Sequence, residues 1–354
     1  MSAVPSFTRI ATAATLALAV AGPASAQERT SFSIAWSIYV GWMPWGYAAD
    51  AGIVDRWAER YGIEIEVVQI NDYIESINQY TAGAYDGCVM TNMDALTIPA
   101  VGGVDSTALI VGDFSNGNDG IVSKTATTLE ELAGTPINLV ELSVSHYLLA
   151  RALESAGLAE RDVTVVNTSD ADMVSVFSST DDVSTVVTWN PLLSEILTFP
   201  GATGLFDSSQ IPGEIIDMLV VNTEVLEDNP DLGRALVGAW YETMALMAAG
   251  DEGAIQALTA MAEASGTDLA GYQAQLDSTQ MFYDAADAVA FTTSPDLIAT
   301  MDLVRTFSAD HGLMGGGVDF VGIAFPGGEI LGDPANVKLR FTEAYMQMVA
   351  DGAL

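Results

Sequence analysis

Four acidic residues stand where a ligand-binding loop would use them. Asp72 follows a strand-like run over 63–70, Asp94 follows another over 87–90, Glu141 follows a third over 137–140, and Asp217 opens an apolar run ending at Asn222. Carboxylates at strand ends of an α/β chain can grip a cationic solute by charge-assisted hydrogen bonds. Taken singly, each reads equally as a solvated surface group. The run from Trp36 to Tyr47, Trp-Ser-Ile-Tyr-Val-Gly-Trp-Met-Pro-Trp-Gly-Tyr, adds flat apolar surface and holds three of the six Trp residues. It joins a strand-like run (31–35) to a helix-like run (48–61). Tyr39, Trp42 and Trp45 are therefore candidates to wall a ligand, with core packing as the alternative. Thr91, Asn92 and Asp94 follow a strand and can serve a ligand or cap a helix. Ser143, Ser145 and His146 sit at a strand-to-helix turn, where Ser145 is a candidate N-cap. Trp189 ends a further strand. Tyr73 and Asn190, adjoining Asp72 and Trp189, complete the candidate ligand set. Trp57, Trp240 and the Met residues read as core, and His311 as structural.

The elements that must position these groups alternate. Strands are expected at 63–70, 87–90, 121–123, 137–140, 162–167, 183–188 and 217–222. Helices are expected at 73–82, from 94 onward, and at 146–156. Beyond about residue 229 the chain reads as helical, over 232–249, 252–264, 285–291, 295–311 and 334–349. Alternating strands and helices imply parallel sheets flanked by helices. Residues 114–120 are polar and loop-like and look like a crossing between lobes; the 217–222 strand looks like the return. The expected organisation is a leader over 1–26, a discontinuous first lobe of 27–118 plus 223–354, and a second lobe of 119–222.

The leader expectation rests on Arg9, the short apolar run 10–21, and the small-residue site Ala24-Ser25-Ala26. Cleavage there predicts a periplasmic protein beginning at Gln27. The net charge is −36, from 47 acidic and 11 basic residues; losing Arg9 makes it −37. That balance argues against nucleic acid or an anionic membrane as partner. With 50% hydrophobic residues the chain is not of disordered composition. The acidity reads either as solubility in a salty habitat or as a field that draws in a cation. The single Cys88 excludes an internal disulfide and reads as a small buried hydrophobe. No nucleophile elbow, phosphate loop or zinc-protease motif is present, so no cofactor and no enzymatic activity are expected.

Several segments in order resemble the solute-binding proteins of ABC importers in the nitrate, sulfonate, taurine and bicarbonate group. They are Gly41-Trp42-Met43-Pro44-Trp45-Gly46-Tyr47-Ala48 with Ala51-Gly52-Ile53-Val54, then Ala82-Gly83-Ala84-Tyr85-Asp86-Gly87, and then Leu129-Glu130-Glu131-Leu132-Ala133-Gly134. Ser143-Val144-Ser145-His146 and Trp189-Asn190-Pro191 follow. The resemblance implies a type II periplasmic-binding-protein fold: two α/β lobes on a two-strand hinge. It implies a monomer that closes on a small-molecule solute and delivers it to an ABC permease. The string from Gly41 to Leu96 is most similar to the branch associated with urea-carboxylase gene regions, which implies urea or guanidine. Anion binders need cations at the site, and here the candidate loops carry acids while Lys124 and Arg151 fall off them. Guanidinium is therefore expected over urea. The alternatives are a taurine, sulfonate or nitrate binder, or an enzyme on the same fold like thiamine-pyrimidine synthase.

Overall fold

The computed structural model describes residues 29–354 except Asp181, together with Met1; the expected leader otherwise lies outside the described residues. The chain forms two mixed α/β sheets flanked by helices. The strands are β1 (Ser31–Trp36), β2 (Glu64–Gln69), β3 (Gly87–Thr91), β4 (Ser106–Ser115) and β5 (Asp119–Ser123). After them come β6 (Pro136–Leu139), β7 (Thr164–Asn167), β8 (Thr185–Trp189), β9 (Thr203–Asp207) and β10 (Ile216–Asn222). The last four are β11 (Thr279–Met281), β12 (Gly322–Ala324), β13 (Ile330–Leu331) and β14 (Val337–Phe341). The larger sheet has the order β13-β12-β14-β4-β10-β3-β1-β2, with β11 beside β4; the smaller has β7-β6-β8-β5-β9.

The chain leaves the larger sheet between β4 and β5 and returns between β9 and β10, so two segments join the lobes. The second sheet spans Asp119–Asp207. β10 pairs antiparallel with both β3 and β4 of the larger sheet. The expected boundary after Asn222 would have carried that strand into the second lobe. Here β10 is paired on both edges and covered on both faces, and it is apolar accordingly: Met218 to Val221 are buried. The second lobe also has an apolar cluster of its own, around Val122, Met173, Phe177, Val186 and Ile196.

Local sequence explains most elements and two departures. Gly52 adopts a left-handed conformation (φ 67°), which splits the helix expected over 48–61 into Met43–Asp50 and Ile53–Arg60. The expected final helix over 334–349 is instead β14 followed by a short helix, Ala344–Ala350. In Val-Lys-Leu-Arg-Phe the apolar residues alternate, and Leu339 and Phe341 are buried where β14 runs parallel to β4. β4 itself is a ten-residue strand, buried except at Phe114, and it carries the first lobe's chain to the crossing.

Candidate functional site

The site grows from the carboxyl ends of β1 and β3, from β10 and β4 beside them, and from the facing edge of the second lobe. After β1 the aromatic turn leads into the Met43–Asp50 helix, with Pro44 in its first turn. Gly41 is required there: a Cβ would lie 2.6 Å from Asp113 Oδ2 and 2.7 Å from the Tyr39 ring. Tyr39 and Trp42 pack with ring centroids 5.0 Å apart, Trp42 and Tyr73 at 5.4 Å, and Tyr73 and Trp189 at 5.7 Å. The four rings form one continuous wall whose last member comes from the opposite lobe. They enclose a small cavity of about 10 Å³, completed by Thr91, Asp119, Val144, Ile215 and Asp217. A larger open groove of about 760 Å³ is lined by Ile38, Asn71, Asp170, Glu195 and Gln275 among others. No ring of the four-membered wall lines that groove, and Trp42 Nε1 and Asp217 Oδ2, buried atoms without partners, belong to residues lining the small cavity.

Four buried carboxyl groups surround the cavity. Thr91, Asp217 and Asp113 are register partners across β3, β10 and β4, so Asp217 and Asp113 sit side by side on adjacent strands. Like charges at such positions repel. Tyr39 Oη donates to Asp113 Oδ1 at 3.2 Å. Asp119 opens β5, opposite Trp189, and accepts from Ser115 Oγ at 2.6 Å. Asp94 accepts from Tyr73 Oη at 2.7 Å and from Thr91 Oγ1 at 2.9 Å. The backbone N–H of Val144, at the start of a second-lobe helix, faces Asp94 and favours its charged form. Even so, Asp94 Oδ1 has no hydrogen-bond partner, and neither have Asp113 Oδ2, Asp217 Oδ2 or Trp42 Nε1. Burial pushes the Asp94 carboxyl up to about 6 and those of Asp113 and Asp119 up to about 7. Burial, reinforced by the neighbouring Asp113, raises Asp217 well above the carboxylate range. Unpaired buried carboxyl oxygens are costly, and Asp94, Asp113 and Asp217 each keep one beside the aromatic rings. No basic side chain lines the cavity. Lys124 donates to the Phe177 carbonyl, and Arg151 is held by Glu214 at 2.9 Å.

The structure places the expected residues unequally. Tyr39, Trp42, Tyr73, Thr91, Trp189 and Asp217 line the cavity, and Asp94 stands directly behind Tyr73 and Thr91. Trp45 does not reach it. It is buried one layer back, stacked on Trp240 at 5.1 Å, because the helix starting at Met43 turns its ring toward the core. Asp72 caps the Tyr73–Thr81 helix by accepting from Glu75 N at 2.9 Å, and it also accepts from Ser169 Oγ of the opposite lobe at 3.1 Å. Asn92 anchors the returning strand, donating to Glu214 O and accepting from Ile216 N. Glu141 is exposed. Ser143, rather than Ser145, is the N-cap of the Val144–Ser155 helix. Ser145 Oγ is buried without a partner. His146 pairs with Glu160 at 2.5 Å, away from the cavity. Asn190 braces the crossing through Ser194 and Ser278. Asp113 and Asp119 are the groups that reasoning from sequence missed. Each lies at the end or start of a hinge strand, and the available signal was an acid adjoining an otherwise apolar strand.

Removing the Trp45 ring should therefore act on stability rather than on solute binding. Trp45→Ala is expected to lower stability by about 3–5 kcal/mol, the usual cost of emptying an aromatic core position. Urea denaturation checks this, with solute affinity in the surviving folded fraction within about twofold of the parent.

A family model described as the NMT1-like family matches residues 35–262. No curated protein matches the sequence. Among solved structures, the chain is similar to the periplasmic aliphatic sulphonate binding protein SsuA from Escherichia coli. The TM-score is 0.67 at 18% identity, over 82% of this chain and 96% of that one. It is also similar to the alkanesulfonate-binding protein SsuA from Xanthomonas axonopodis pv. citri bound to MOPS, with TM-score 0.65 at 17% identity over the same 82% and 96%. The desulfurization enzyme DszB has the fold at lower similarity, TM-score 0.57 and 15% identity over 82% of this chain and 95% of that one.

Proposed function

The chain belongs to the NMT1-like family, and on that premise we propose that it is the solute-binding subunit of an ABC importer. It takes up a small guanidinium-type cation between its lobes and delivers it to a membrane permease. The fold shared with sulfonate-binding periplasmic proteins supports the transport part of this reading. The solute class rests on one observation: four buried carboxyl groups around an aromatic box with no basic side chain lining it. A sulfonate or nitrate brought there would meet acids where it needs donors of positive charge. Guanidinium is planar, weakly hydrated, rich in N–H donors and able to stack on a ring, which matches Tyr39, Trp42, Tyr73 and Trp189. Residues from both lobes touch the cavity, so closure completes it.

Urea is the second reading. The side-by-side Asp113 and Asp217, when they share a proton, offer both a donor and acceptors to a neutral amide. The two solutes separate by pH, because ionising the carboxyls strengthens binding of a cation and leaves urea without its donor. An enzymatic reading has little to work with. The only thiol, Cys88, is fully buried and pushed up by burial to about 12, far from a reactive thiolate.

A thermal-shift panel on the chain from Gln27 tests the assignment. Guanidinium at about a thousand times its dissociation constant should stabilise by about 4 kcal/mol and raise the melting temperature by several degrees. Taurine, nitrate and an alkanesulfonate should leave it unchanged. Stabilisation by any of these anions, with none by guanidinium, overturns the cationic assignment.

A further inference from the structure

The Val144–Ser155 helix of the second lobe begins at the wall of the solute cavity. The first N–H groups of a helix lack helical partners, and that end carries partial positive charge. Ser143 Oγ accepts from Ser145 N–H at 3.2 Å, and the Ser143 carbonyl takes the N–H groups of His146 and Tyr147. The N–H of Val144 faces the carboxylate of Asp94, which belongs to the first lobe. Tyr73 Oη and Thr91 Oγ1 donate to the same carboxylate at 2.7 Å and 2.9 Å. Asp94, Tyr73, Thr91 and Val144 are all buried.

The two hydroxyls are held as donors. Tyr73 Oη accepts from Thr91 N–H at 3.0 Å, and Thr91 Oγ1 accepts from Asp94 N–H at 3.4 Å, which leaves the hydrogen of each hydroxyl for the carboxylate. The simplest other role for Asp94 is a capping box, since it is the third residue of the Asn92–Ala95 helix and Thr91 is the N-cap. The acid of a capping box bonds the N–H of the N-cap residue. Here that N–H goes to Tyr73 Oη instead, and the Asp94 side chain meets the second lobe.

Donors that converge from two lobes, one of them at a helix N-terminus, form a cradle for a small oxyanion. Here the oxyanion belongs to the chain itself. We propose that Asp94 is a specificity-determining residue, whose carboxylate fills an oxyanion subsite built by Tyr73, Thr91 and Val144 and so excludes solutes that bear an acid group. The proposal rests on the reading of the aromatic cavity as the solute site. It narrows the solute class to cations without a carboxylate or sulfonate.

The exclusion follows from the donors. A zwitterion would bring a second anionic group to hydrogens that Asp94 already engages, and two anions in one buried place repel. The acids divide by role accordingly. Asp94 sits among donors, whereas Asp217 sits beside Asp113 and is raised further by it. Asp217 is thus left to pair with the charge of the solute, and Asp94 balances the helix end.

The test vacates the subsite and offers it a free anion. Asp94→Ala removes the carboxylate, and Asp94→Asn keeps the space filled. Formate, the smallest carboxylate, is the probe, in calorimetry at about pH 5.5, where burial keeps Asp113, Asp119 and Asp217 mostly protonated. Formate should bind Asp94→Ala at least about tenfold more tightly than the parent or Asp94→Asn, the scale of a charge-assisted hydrogen bond. An Asp94→Ala chain that folds only in formate gives the same result. Equal formate binding by Asp94→Ala and Asp94→Asn, or none by Asp94→Ala, overturns the subsite. Val144→Pro gives a second reading in a chain that keeps Asp94, and it decides alone if Asp94→Ala does not fold. Ser143 is already extended, as a residue before proline must be, and proline suits the first helical position. Without the Val144 N–H the Asp94 carboxyl should ionise about one pH unit higher in a carboxyl NMR titration. Unchanged ionisation overturns the proposal as well. Guanidinoacetate, a guanidinium with an acid group added, should bind the parent at least about tenfold more weakly than guanidinium; tighter binding overturns the exclusion. If the parent binds no guanidinium while Asp94→Ala gains formate, the cationic assignment fails and the subsite stands.

Discussion

Asp217→Asn is expected to stabilise the empty protein at neutral pH and to weaken guanidinium binding about a hundredfold. The two effects have one cause. Asp217 and Asp113 oppose each other on adjacent buried strands; burial shifts both carboxyls upward, and the neighbouring Asp113 raises Asp217 further. An amide removes the repulsion and the cost of ionising a buried group, so unfolding becomes harder. The same change removes the charge that the solute pairs with, worth roughly 1.5–3 kcal/mol for a charge-assisted contact. That corresponds to about tenfold to a hundredfold in affinity, and the upper end is expected here because Asp217 is buried. Asp119→Asn should behave alike. Glu141→Gln, at an exposed position, should change affinity by less than about twofold. Calorimetry with guanidinium and urea, alongside denaturation of each variant, checks all of these. An Asp217→Asn variant that binds guanidinium as the parent does, or that is destabilised, would mean that the acids serve the fold rather than the solute.

The second large effect is on pH dependence. An unfolded chain ionises Asp near 3.9. In the folded protein Asp94 ionises near 6, Asp113 and Asp119 near 7, and Asp217 higher still. The folded state thus keeps protons that the unfolded state has released. Stability contributed by these groups is present below about pH 4 and is lost as pH rises through 6 and 7. The empty protein should lose on the order of 3 kcal/mol or more between pH 4.5 and pH 8. Guanidinium should restore much of this at pH 8 and little at pH 5, and its binding above pH 7 should release less than one proton per solute. Urea should show the reverse trend with pH. Calorimetry in buffers of different ionisation enthalpy counts the protons directly. A flat stability profile, or guanidinium affinity that falls from pH 5 to pH 8, would refute the ionisable cavity.

Much of this site is legible before folding. The aromatic run from Trp36 to Tyr47, the strand-to-helix turns at Tyr73 and Thr91, and Trp189 at a strand end are local patterns. Their periods and turn residues place them at carboxyl edges of strands whatever the rest of the chain does. The two α/β sheets are legible for the same reason, since alternation of strand and helix leaves few topologies open. Legibility fails where a residue's partner is distant in sequence. Trp45 differs from Trp42 by three positions, and only the helix phase against Trp240 sends it to the core. Asp72 and Glu141 have the right local setting, yet one caps a helix and the other meets solvent.

Composition and local pattern by themselves determined an acidic α/β chain and its aromatic turn; the expectation of a cation between two lobes needed the family resemblance as well. Tertiary structure alone decided which acids face that space. Asp113 is unremarkable inside β4 until β10 sets Asp217 beside it, and Asp119 until the crossing turns it toward Trp189. It also decided that two histidines 165 positions apart meet on one glutamate. The physical reason is the same throughout. Periodicity fixes which face of an element a residue occupies, whereas the charge, burial and hydrogen-bond partner of that face come from whichever distant strand or helix packs against it.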